Sequence, residues 1–320
     1  MTRVDIGELR SLVLACLADR FSDEDASRIA DIVIFGEMVG RPSHGILRVL
    51  PGSYGVMDEE PGPAPKVERL GPSAARVEGR PGMLVAALGA ELAENLATES
   101  GFAVVTTRGS RSTSGSLTFF VERLANAGLV GFVSAGTVNF VTTPGGRERV
   151  LGTNPFAFGI PTLGRPFILD MATSAIAGGE LLTAAAEGSS LPEGVAVDSE
   201  GNPTTSPSDV LQGGALLPFG GHKGLGLSMM IEILNTALTG AEGDPVDWGH
   251  MFVAFSVSLL GEETEIRRRA ENDLERMRAA GARIPGHNSL ANRDEARGRG
   301  WVEVDDDALS RLVDLAGAGS

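Results

Sequence analysis

Residues 83–107 read MLVAALGAELAENLATESGFAVVTT, and this stretch decides the fold class. Its first part is rich in alanine and predicts a helix from Met83 to Ser100 that Gly101 ends. The apolar, β-branched run Phe102–Thr107 then predicts a buried strand. A second helix, which Ser114 can cap, and a second strand, residues 129–134, repeat this order. The alternation of helix and strand predicts an α/β domain.

On the C-terminal side of this stretch the pattern continues with longer loops. A strand ends in Asp170, a helical run reaches about Glu187, and an amphipathic helix spans Lys223–Leu238. Residues 137–162 are rich in Gly, Asn, Thr and Pro. Further predicted segments are a loop at 188–212, a strand at 251–260, a charged helix at 262–280 and a helix at 305–315.

On the N-terminal side, residues 5–40 predict two helices, the second capped by Ser22 and carrying acidic residues in its first turn. Residues 51–81 are rich in Pro and Gly and predict an extended crossover. We therefore expect an N-terminal helical part at 1–75, completed by 285–320, and an α/β domain at 76–284.

Charge and cysteine content limit the possible functions. The 320-residue chain has 42 acidic and 27 basic residues and a net charge of −15, which argues against nucleic acid and anionic membranes as partners. The single cysteine, Cys16, allows no internal disulfide, which is typical of a cytoplasmic protein. The sequence shows neither a membrane-spanning apolar run nor a spacing of ligands that suggests a metal.

The segment Arg41-Pro42-Ser43-His44-Gly45-Ile46-Leu47-Arg48 follows the second helix and is a candidate site for acid–base chemistry. An imidazole titrates near neutral pH, so His44 can exchange a proton with a substrate. Arg48 can hold a carboxylate through two parallel hydrogen bonds. Taken alone, the residues also fit a helix end with a solvated arginine.

Two further stretches can bind a ligand. Gly220-Gly221-His222-Lys223-Gly224 opens a helix, where glycines and the helix dipole favour an anion. It has neither the spacing of a P-loop nor a preceding strand of the Rossmann type. The residues from Asp170 to Ser174 lie at a strand–helix junction, where they can contact a cofactor or only cap the helix.

Together these segments resemble the malate/L-lactate dehydrogenase type 2 family, which includes sulfolactate, ureidoglycolate and diketogulonate oxidoreductases and a piperideine-carboxylate reductase. The resemblance covers about residues 22–286 and rests on four motifs in order: Ser43-His44-Gly45 with Arg48, Gly152-Thr153-Asn154-Pro155, Asp170-Met171-Ala172-Thr173-Ser174, and Gly221-His222-Lys223-Gly224. It implies a non-Rossmann α/β fold with a central mixed sheet flanked by helices. It also implies NADH or NADPH as cofactor, a small anionic 2-oxo acid or cyclic imino acid as substrate, and a homodimer.

Carried over by position, the resemblance gives each motif a role. His44 would be the proton donor or acceptor, with Ser43 beside it, and Arg48 would bind the substrate carboxylate. The residues that would bind the cofactor are Thr137, Asp170, Met171, Ala172, His222, Lys223 and Gly224.

Several positions depart from the family pattern. Thr113-Ser114-Gly115 stands where the family has a His-x-Gly run, and Phe119-Phe120 replaces a pair of tyrosines. A tyrosine of the family would fall near Gly52, and Tyr54 is close but out of register. Three further segments differ: Gly178-Gly179-Glu180 stands in place of Arg-Gly-Lys, Ser256 in place of Asp, and Pro285-Gly286-His287 in place of Pro-Gly-Glu. Glu180 would repel a cofactor phosphate. The losses indicate a changed substrate or changed chemistry on the same fold.

Three functions remain open on the sequence. The first is an NAD(P)H-dependent reductase of an unusual 2-oxo acid or cyclic imine, with His44 as the acid. The second is a non-redox enzyme in which His44 and Arg48 handle an acidic substrate without a nicotinamide. The third is a non-catalytic binding protein, which the retention of Ser43, His44, Arg48 and Lys223 disfavours.

Overall fold

A computed structural model describes residues 1–52 and 54–318 and shows a mixed α/β protein, as the sequence predicts. The chain forms two compact units. The first contains residues 1–133, 157–170 and 252–320, and the second contains residues 134–156 and 171–251. The division of the chain into an N-terminal helical part at 1–75 and an α/β domain at 76–284 stays a prediction.

Helices and strands alternate through most of the described chain. The helices are α1 (Ile6–Leu17), α2 (Asp23–Met38), α3 (Gly82–Ser100), α4 (Leu117–Asn126), α5 (Gly178–Glu187), α6 (Pro207–Leu211), α7 (His222–Asn235), α8 (Glu263–Ala279), α9 (His287–Arg299) and α10 (Asp306–Ala318). The strands are β1 (Thr2–Asp5), β2 (Lys66–Gly71), β3 (Ala74–Glu78), β4 (Phe102–Ser110), β5 (Leu129–Ala135), β6 (Asn139–Val141), β7 (Leu151–Gly152), β8 (Phe156–Ile160), β9 (Phe167–Met171), β10 (Ala196–Val197), β11 (Ala215–Leu216), β12 (Trp248–Ser256) and β13 (Trp301–Val304).

A seven-stranded sheet with the order β2-β3-β4-β12-β5-β8-β9 runs through the described residues. It is mixed, because β2 pairs with β3 antiparallel while β3 pairs with β4 parallel. The helix α3 joins β3 to β4 and ends at Gly101, which takes the left-handed conformation with φ of 83°. Residues 83–107 therefore form the expected helix and strand.

The two ends of the chain meet in the first unit. Strand β1 pairs antiparallel with β13, so that Thr2 lies opposite Val304. Asp5 caps α1 by accepting from the backbone N–H groups of Gly7 and Glu8, and Ser22 caps α2 as predicted. The buried faces of these helices supply apolar core residues such as Leu9 and Ile29, both fully buried.

The second unit has its own small sheet and core. The sheet order is β10-β11-β6-β7, with β10 antiparallel to β11 and β11 parallel to β6. Its buried apolar cluster consists of Phe140, Val141, Leu151, Ile176, Leu181, Leu191, Ala196, Val210 and Leu216.

Several sequence predictions of local structure were wrong. The expected crossover at 51–81 contains the hairpin β2–β3, and the expected loop at 188–212 contains β10 and α6. The strand expected at 251–260 is β12, which begins at Trp248 and ends at Ser256. Strand β10 has only two residues, which is too short for alternation to stand out in a sequence.

The described residues contain no helix that is long and apolar enough to cross a membrane. In the same residues, no group of three or more His, Cys, Asp and Glu side chains is arranged to hold a metal ion.

Candidate active site

The predicted catalytic residues lie on two consecutive 3-10 turns that follow α2, Pro42–His44 and Ile46–Arg48. Ser43 Oγ lies 3.0 Å from His44 Nδ1, within hydrogen-bond distance. Arg48 turns back along the chain, and its Nε donates to the Ser43 carbonyl oxygen at 2.6 Å. Ser43, His44 and Arg48 therefore form one connected, half-buried cluster.

Two glycines allow this segment to lie directly on the end of α2. A Cβ atom on Gly36 would lie 2.6 Å from the carbonyl carbon of His44 and 2.8 Å from the Gly45 nitrogen. A Cβ atom on Gly45 would lie 2.9 Å from Glu37 Cγ. Real Cβ atoms do not approach other atoms this closely, so both positions require glycine for the observed packing.

Glu37 links α2 to the second of the two turns. Its carboxyl oxygen accepts a hydrogen bond from the backbone N–H of Ile46 at 2.7 Å. The residue is only 7% exposed, and burial raises the pKa of Glu37 to about 7 although the Ile46 N–H acts in the opposite direction. A carboxyl group whose pKa is near neutral pH therefore lies against the segment that carries His44.

Asp170 belongs to the same unit as His44 and is held from two sides. Its Oδ2 accepts from the Thr118 backbone N–H at 3.0 Å, the Thr118 hydroxyl at 2.7 Å and the Ser116 hydroxyl at 3.3 Å. Arg41 Nη1 lies 3.5 Å from the same oxygen. The start of α4 and the segment before His44 therefore both fix this carboxylate.

The surroundings of His44 favour its neutral form. Burial lowers the pKa of His44 well below its usual 6.5, the charge of Arg48 lowers it further, and Asp170 acts in the opposite direction. The neutral imidazole can accept a proton at neutral pH.

In the second unit, three threonines connect the segments that carry the predicted cofactor-binding residues. Thr137 Oγ1 accepts from the Thr153 N–H at 2.9 Å. Thr173 donates to the Thr153 carbonyl from its N–H at 2.9 Å and from its hydroxyl at 3.0 Å. Because Thr173 follows Met171 and Ala172 directly, the structure brings these residues together with Thr137.

The N-terminus of α7 joins this group through Phe219, whose N–H donates to the Thr173 carbonyl at 3.1 Å. Gly220 and Gly221 have positive φ values of 57° and 64°, and nothing lies within 4 Å of an added Cβ at either position. No side chain caps the helix, and His222 and Lys223 are exposed at its first residues. The helix therefore presents its positive end and a lysine to an open surface.

The positions that depart from the family pattern have different environments. The N–H of Thr113 donates to the Tyr54 carbonyl at 2.8 Å. Glu180 is exposed in the first turn of α5, and Gly178 lies beside Thr153. Phe120 is fully buried and Phe119 partly buried, with ring centroids 5.4 Å apart.

The last two departures lie at the ends of elements. Ser256 caps the 3-10 turn Val257–Leu259, where its hydroxyl accepts from the Ser258 N–H at 3.2 Å. Gly286 starts α9 with a φ of 73°, where an added Cβ would lie 2.7 Å from Ile168 Cβ.

The sequence analysis assigned no role to four residues of these clusters, which are Glu37, Arg41, Ser116 and Thr118. It also did not predict that Thr153 contacts Thr137 and Thr173. Glu37 left one signal, because it is an acid in the otherwise apolar run Ile34-Phe35-Gly36-Glu37-Met38-Val39. Ser116 and Thr118 left none, since their contact with Asp170 joins residues more than 50 positions apart.

Comparison with known proteins agrees with this fold and with the family that the sequence resembles. The profile of the family described as malate/L-lactate dehydrogenase matches residues 4–313. A Δ1-pyrroline-2-carboxylate/Δ1-piperideine-2-carboxylate reductase of Pseudomonas putida is 35% identical over 99% of this chain and 98% of its own. An L-sulfolactate dehydrogenase of Methanothermobacter thermautotrophicus is 35% identical over 92% of this chain and 90% of its own.

Among solved structures, the Δ1-piperideine-2-carboxylate reductase of Pseudomonas syringae superposes with a TM-score of 0.88 at 32% identity, covering 98% of this chain and 100% of that one. The fold and the similar enzymes together define an α/β oxidoreductase. The chain belongs to the malate/L-lactate dehydrogenase family.

Proposed function

We propose that the protein uses a nicotinamide cofactor to reduce a small 2-oxo acid or cyclic 2-imino acid, or to oxidise the product in reverse. The observation that carries this proposal is the connected cluster of Ser43, His44 and Arg48. It combines a proton-exchanging imidazole with a guanidinium, which are the two groups that such a substrate needs.

Arg48 binds the substrate carboxylate and thereby prepares His44. In the free protein, burial lowers the pKa of His44 most, and the charge of Arg48 lowers it further. A bound carboxylate compensates the charge of Arg48, which removes one of the causes that lower the pKa of His44 and so favours the protonated imidazole. His44 then donates this proton to the substrate oxygen or nitrogen, and in the reverse reaction the neutral ring accepts it.

Ser43 and Asp170 control the orientation and charge of the imidazole. The Ser43 hydroxyl lies at Nδ1, which leaves Nε2 for the substrate. Asp170, which the sequence placed among the cofactor-binding residues, is fixed by Thr118 and raises the pKa of His44. We assign Asp170 to stabilising the imidazolium form rather than to contacting the cofactor.

The residues of the second unit fit a dinucleotide outside a Rossmann unit. An uncapped helix N-terminus with Lys223 suits a phosphate, and the open space at Gly220 and Gly221 lets a ligand approach the backbone. Thr137 offers a hydroxyl, and Met171 and Ala172 lie beside the connected threonines. When bound, the cofactor would supply the hydride, and the protein supplies position and charge.

A cyclic imine fits this site better than a ketone. An imine nitrogen takes up a proton more readily than a ketone oxygen. Its reduction therefore depends less on the protonated form of His44, whose pKa is lowered. The similar Pseudomonas putida enzyme bears the name of a reductase of cyclic 2-imino acids. We therefore place cyclic 2-imino acids before 2-oxo acids as substrates.

The test is a matrix of two cofactors and several substrates. Purified protein is titrated with NADH and NADPH while nicotinamide fluorescence and thermal stability are followed. A ligand at 100 times its dissociation constant should raise the unfolding free energy by about 2.7 kcal/mol. Cofactor oxidation is then measured with Δ1-piperideine-2-carboxylate, pyruvate and oxaloacetate. Binding of neither cofactor would refute the proposal and favour the non-redox alternative.

We also propose a homodimer, as the family resemblance implies. Helix α7 supports this proposal, because it exposes Met229, Met230 and Ile233, with exposed fractions of 51%, 44% and 56%. Exposed apolar side chains grouped in this way are typical of a subunit interface. Light scattering after size-exclusion chromatography would return a monomer mass if this proposal is wrong.

A further inference from the structure

The turn that carries Arg48 lacks a cap of its own. A 3-10 helix leaves its first backbone N–H groups without partners inside the helix, and a side chain before the helix commonly accepts from them. The preceding residue here is Gly45, which has no side chain, and no local cap is present at Ile46–Arg48. The missing acceptor comes instead from α2, where the Glu37 carboxyl binds the Ile46 N–H at 2.7 Å.

We infer that Glu37 is a positioning residue for the reaction, because it fixes the turn that places His44 and Arg48 on either side of Gly45. Gly45 lies directly against the Glu37 side chain and Gly36 lies directly against the His44 carbonyl. The end of α2 therefore determines the position of both functional side chains through a single carboxyl group and two glycines.

The burial of Glu37 makes this contact specific. Its exposed fraction is 7%, so water does not readily replace its hydrogen bond if the side chain is shortened. Burial raises the pKa of Glu37 to about 7, so the group is in part protonated at neutral pH. A neutral glutamine is therefore a close substitute, with an amide oxygen that can still accept from Ile46.

This inference rests on the proposed roles of His44 and Arg48, and its test separates the two claims. The variants are Glu37→Gln, which keeps the acceptor, Glu37→Asp, which withdraws it by one methylene, and Glu37→Ala, which removes it. Glu122→Gln is the matched control. Glu122 is equally buried, with 6% exposed, and pairs with Arg293 on α9 rather than with the His44 segment.

Three measurements are made on each variant: thermal unfolding, kcat and KM with the best substrate, and the NMR signals of the His44 ring. The His44 signals are assigned by their loss in His44→Gln. Glu37→Asp and Glu37→Ala should lower kcat/KM by about 10- to 100-fold, because a displacement of about 1 Å can cost about 100-fold in rate. The change should appear in kcat through His44 and in KM through Arg48.

Glu37→Gln should keep most of the activity and an unshifted His44 signal, while Glu122→Gln should lose stability but keep kcat and KM. Wild-type kcat/KM and an unshifted His44 signal in Glu37→Asp would overturn the inference, whether or not Glu37→Ala folds. If the wild-type protein turns over no substrate, the proposed function fails but the His44 signal still decides. A shifted His44 signal in Glu37→Asp but not in Glu122→Gln then supports the positioning role of Glu37. An unshifted His44 signal in Glu37→Asp refutes that role.

Discussion

Substitution of Gly36 by alanine should separate stability from activity. In a helix interior, alanine is favoured over glycine by about 0.5–1 kcal/mol, so the local effect on α2 is stabilising. The new Cβ would, however, lie 2.6 Å from the carbonyl carbon of His44 and 2.8 Å from the Gly45 nitrogen, which are both backbone atoms. Overpacking of this kind costs about 1–3 kcal/mol. The net loss of stability should therefore be between about 0 and 2.5 kcal/mol.

The activity of Gly36→Ala should fall much more than its stability. Relief of the clash changes the position of the segment Pro42–Arg48 relative to the end of α2, and this segment carries both His44 and Arg48. A displacement of about 1 Å at a reacting group can lower the rate by about 100-fold. We expect kcat/KM to fall by about that factor while urea unfolding shows only the small loss of stability.

Gly298→Ala on α9 is the control, because nothing lies within 4 Å of its added Cβ. Gly298 lies in the last turn of α9, where the gain from alanine is smaller than in a helix interior, so this variant should be slightly more stable than wild type and fully active. If Gly36→Ala behaves like Gly298→Ala, with increased stability and unchanged kcat/KM, then the packing of the His44 segment on α2 does not control the active site.

Four other predictions follow from the same contacts. His44→Gln should lower kcat by about 10²- to 10⁴-fold with little change in cofactor affinity, as single-turnover and fluorescence measurements would show. Arg48→Lys should lower kcat/KM by about 10- to 100-fold, mainly by raising KM for the acid substrate, because a paired charged hydrogen bond is lost. Lys223→Met should weaken cofactor binding by about 10-fold without lowering thermal stability, and the loss should shrink at high salt. The pKa of Glu37 is raised from 4.5 to about 7. The contribution of Glu37 to stability is therefore fully present below pH 4.5 and is lost as the pH rises through about 7. The unfolding free energy of wild type relative to Glu37→Gln should fall by up to about 3 kcal/mol across that range.

Sequence reasoning succeeded where a long periodic segment carried the signal. Helix α3 and strand β4 have strong composition and a glycine stop, and both form as expected. The hairpin β2–β3 was missed because its strands are short and β2 is largely exposed. Pairing of β1 with β13 was missed because its residues lie about 300 positions apart, and no local pattern encodes such a contact.

The candidate site shows the same limit at the level of side chains. Ser43, His44 and Arg48 are close in sequence, so their contacts could be expected from one motif. Glu37 requires knowledge of how the chain turns back onto α2 after Met38. Only the positions of Gly36 and Gly45 hint at that turn, and a glycine alone does not say which atom approaches it.

Asp170 shows how a motif can unite residues with different partners. The run from Asp170 to Ser174 reads as one cofactor-binding segment in the sequence, yet Asp170 is the last residue of a segment of the first unit and Met171 begins one in the second. Its carboxylate is bound by Thr118 and Arg41, whereas Thr173 is bound to Thr153. Because the side chains of consecutive strand residues point to opposite faces of a sheet, neighbouring residues in such a run can contact different groups. The contacts of Asp170 therefore join its carboxylate to Arg41 and to the start of α4, whereas the residues after it connect to Thr137 through Thr153.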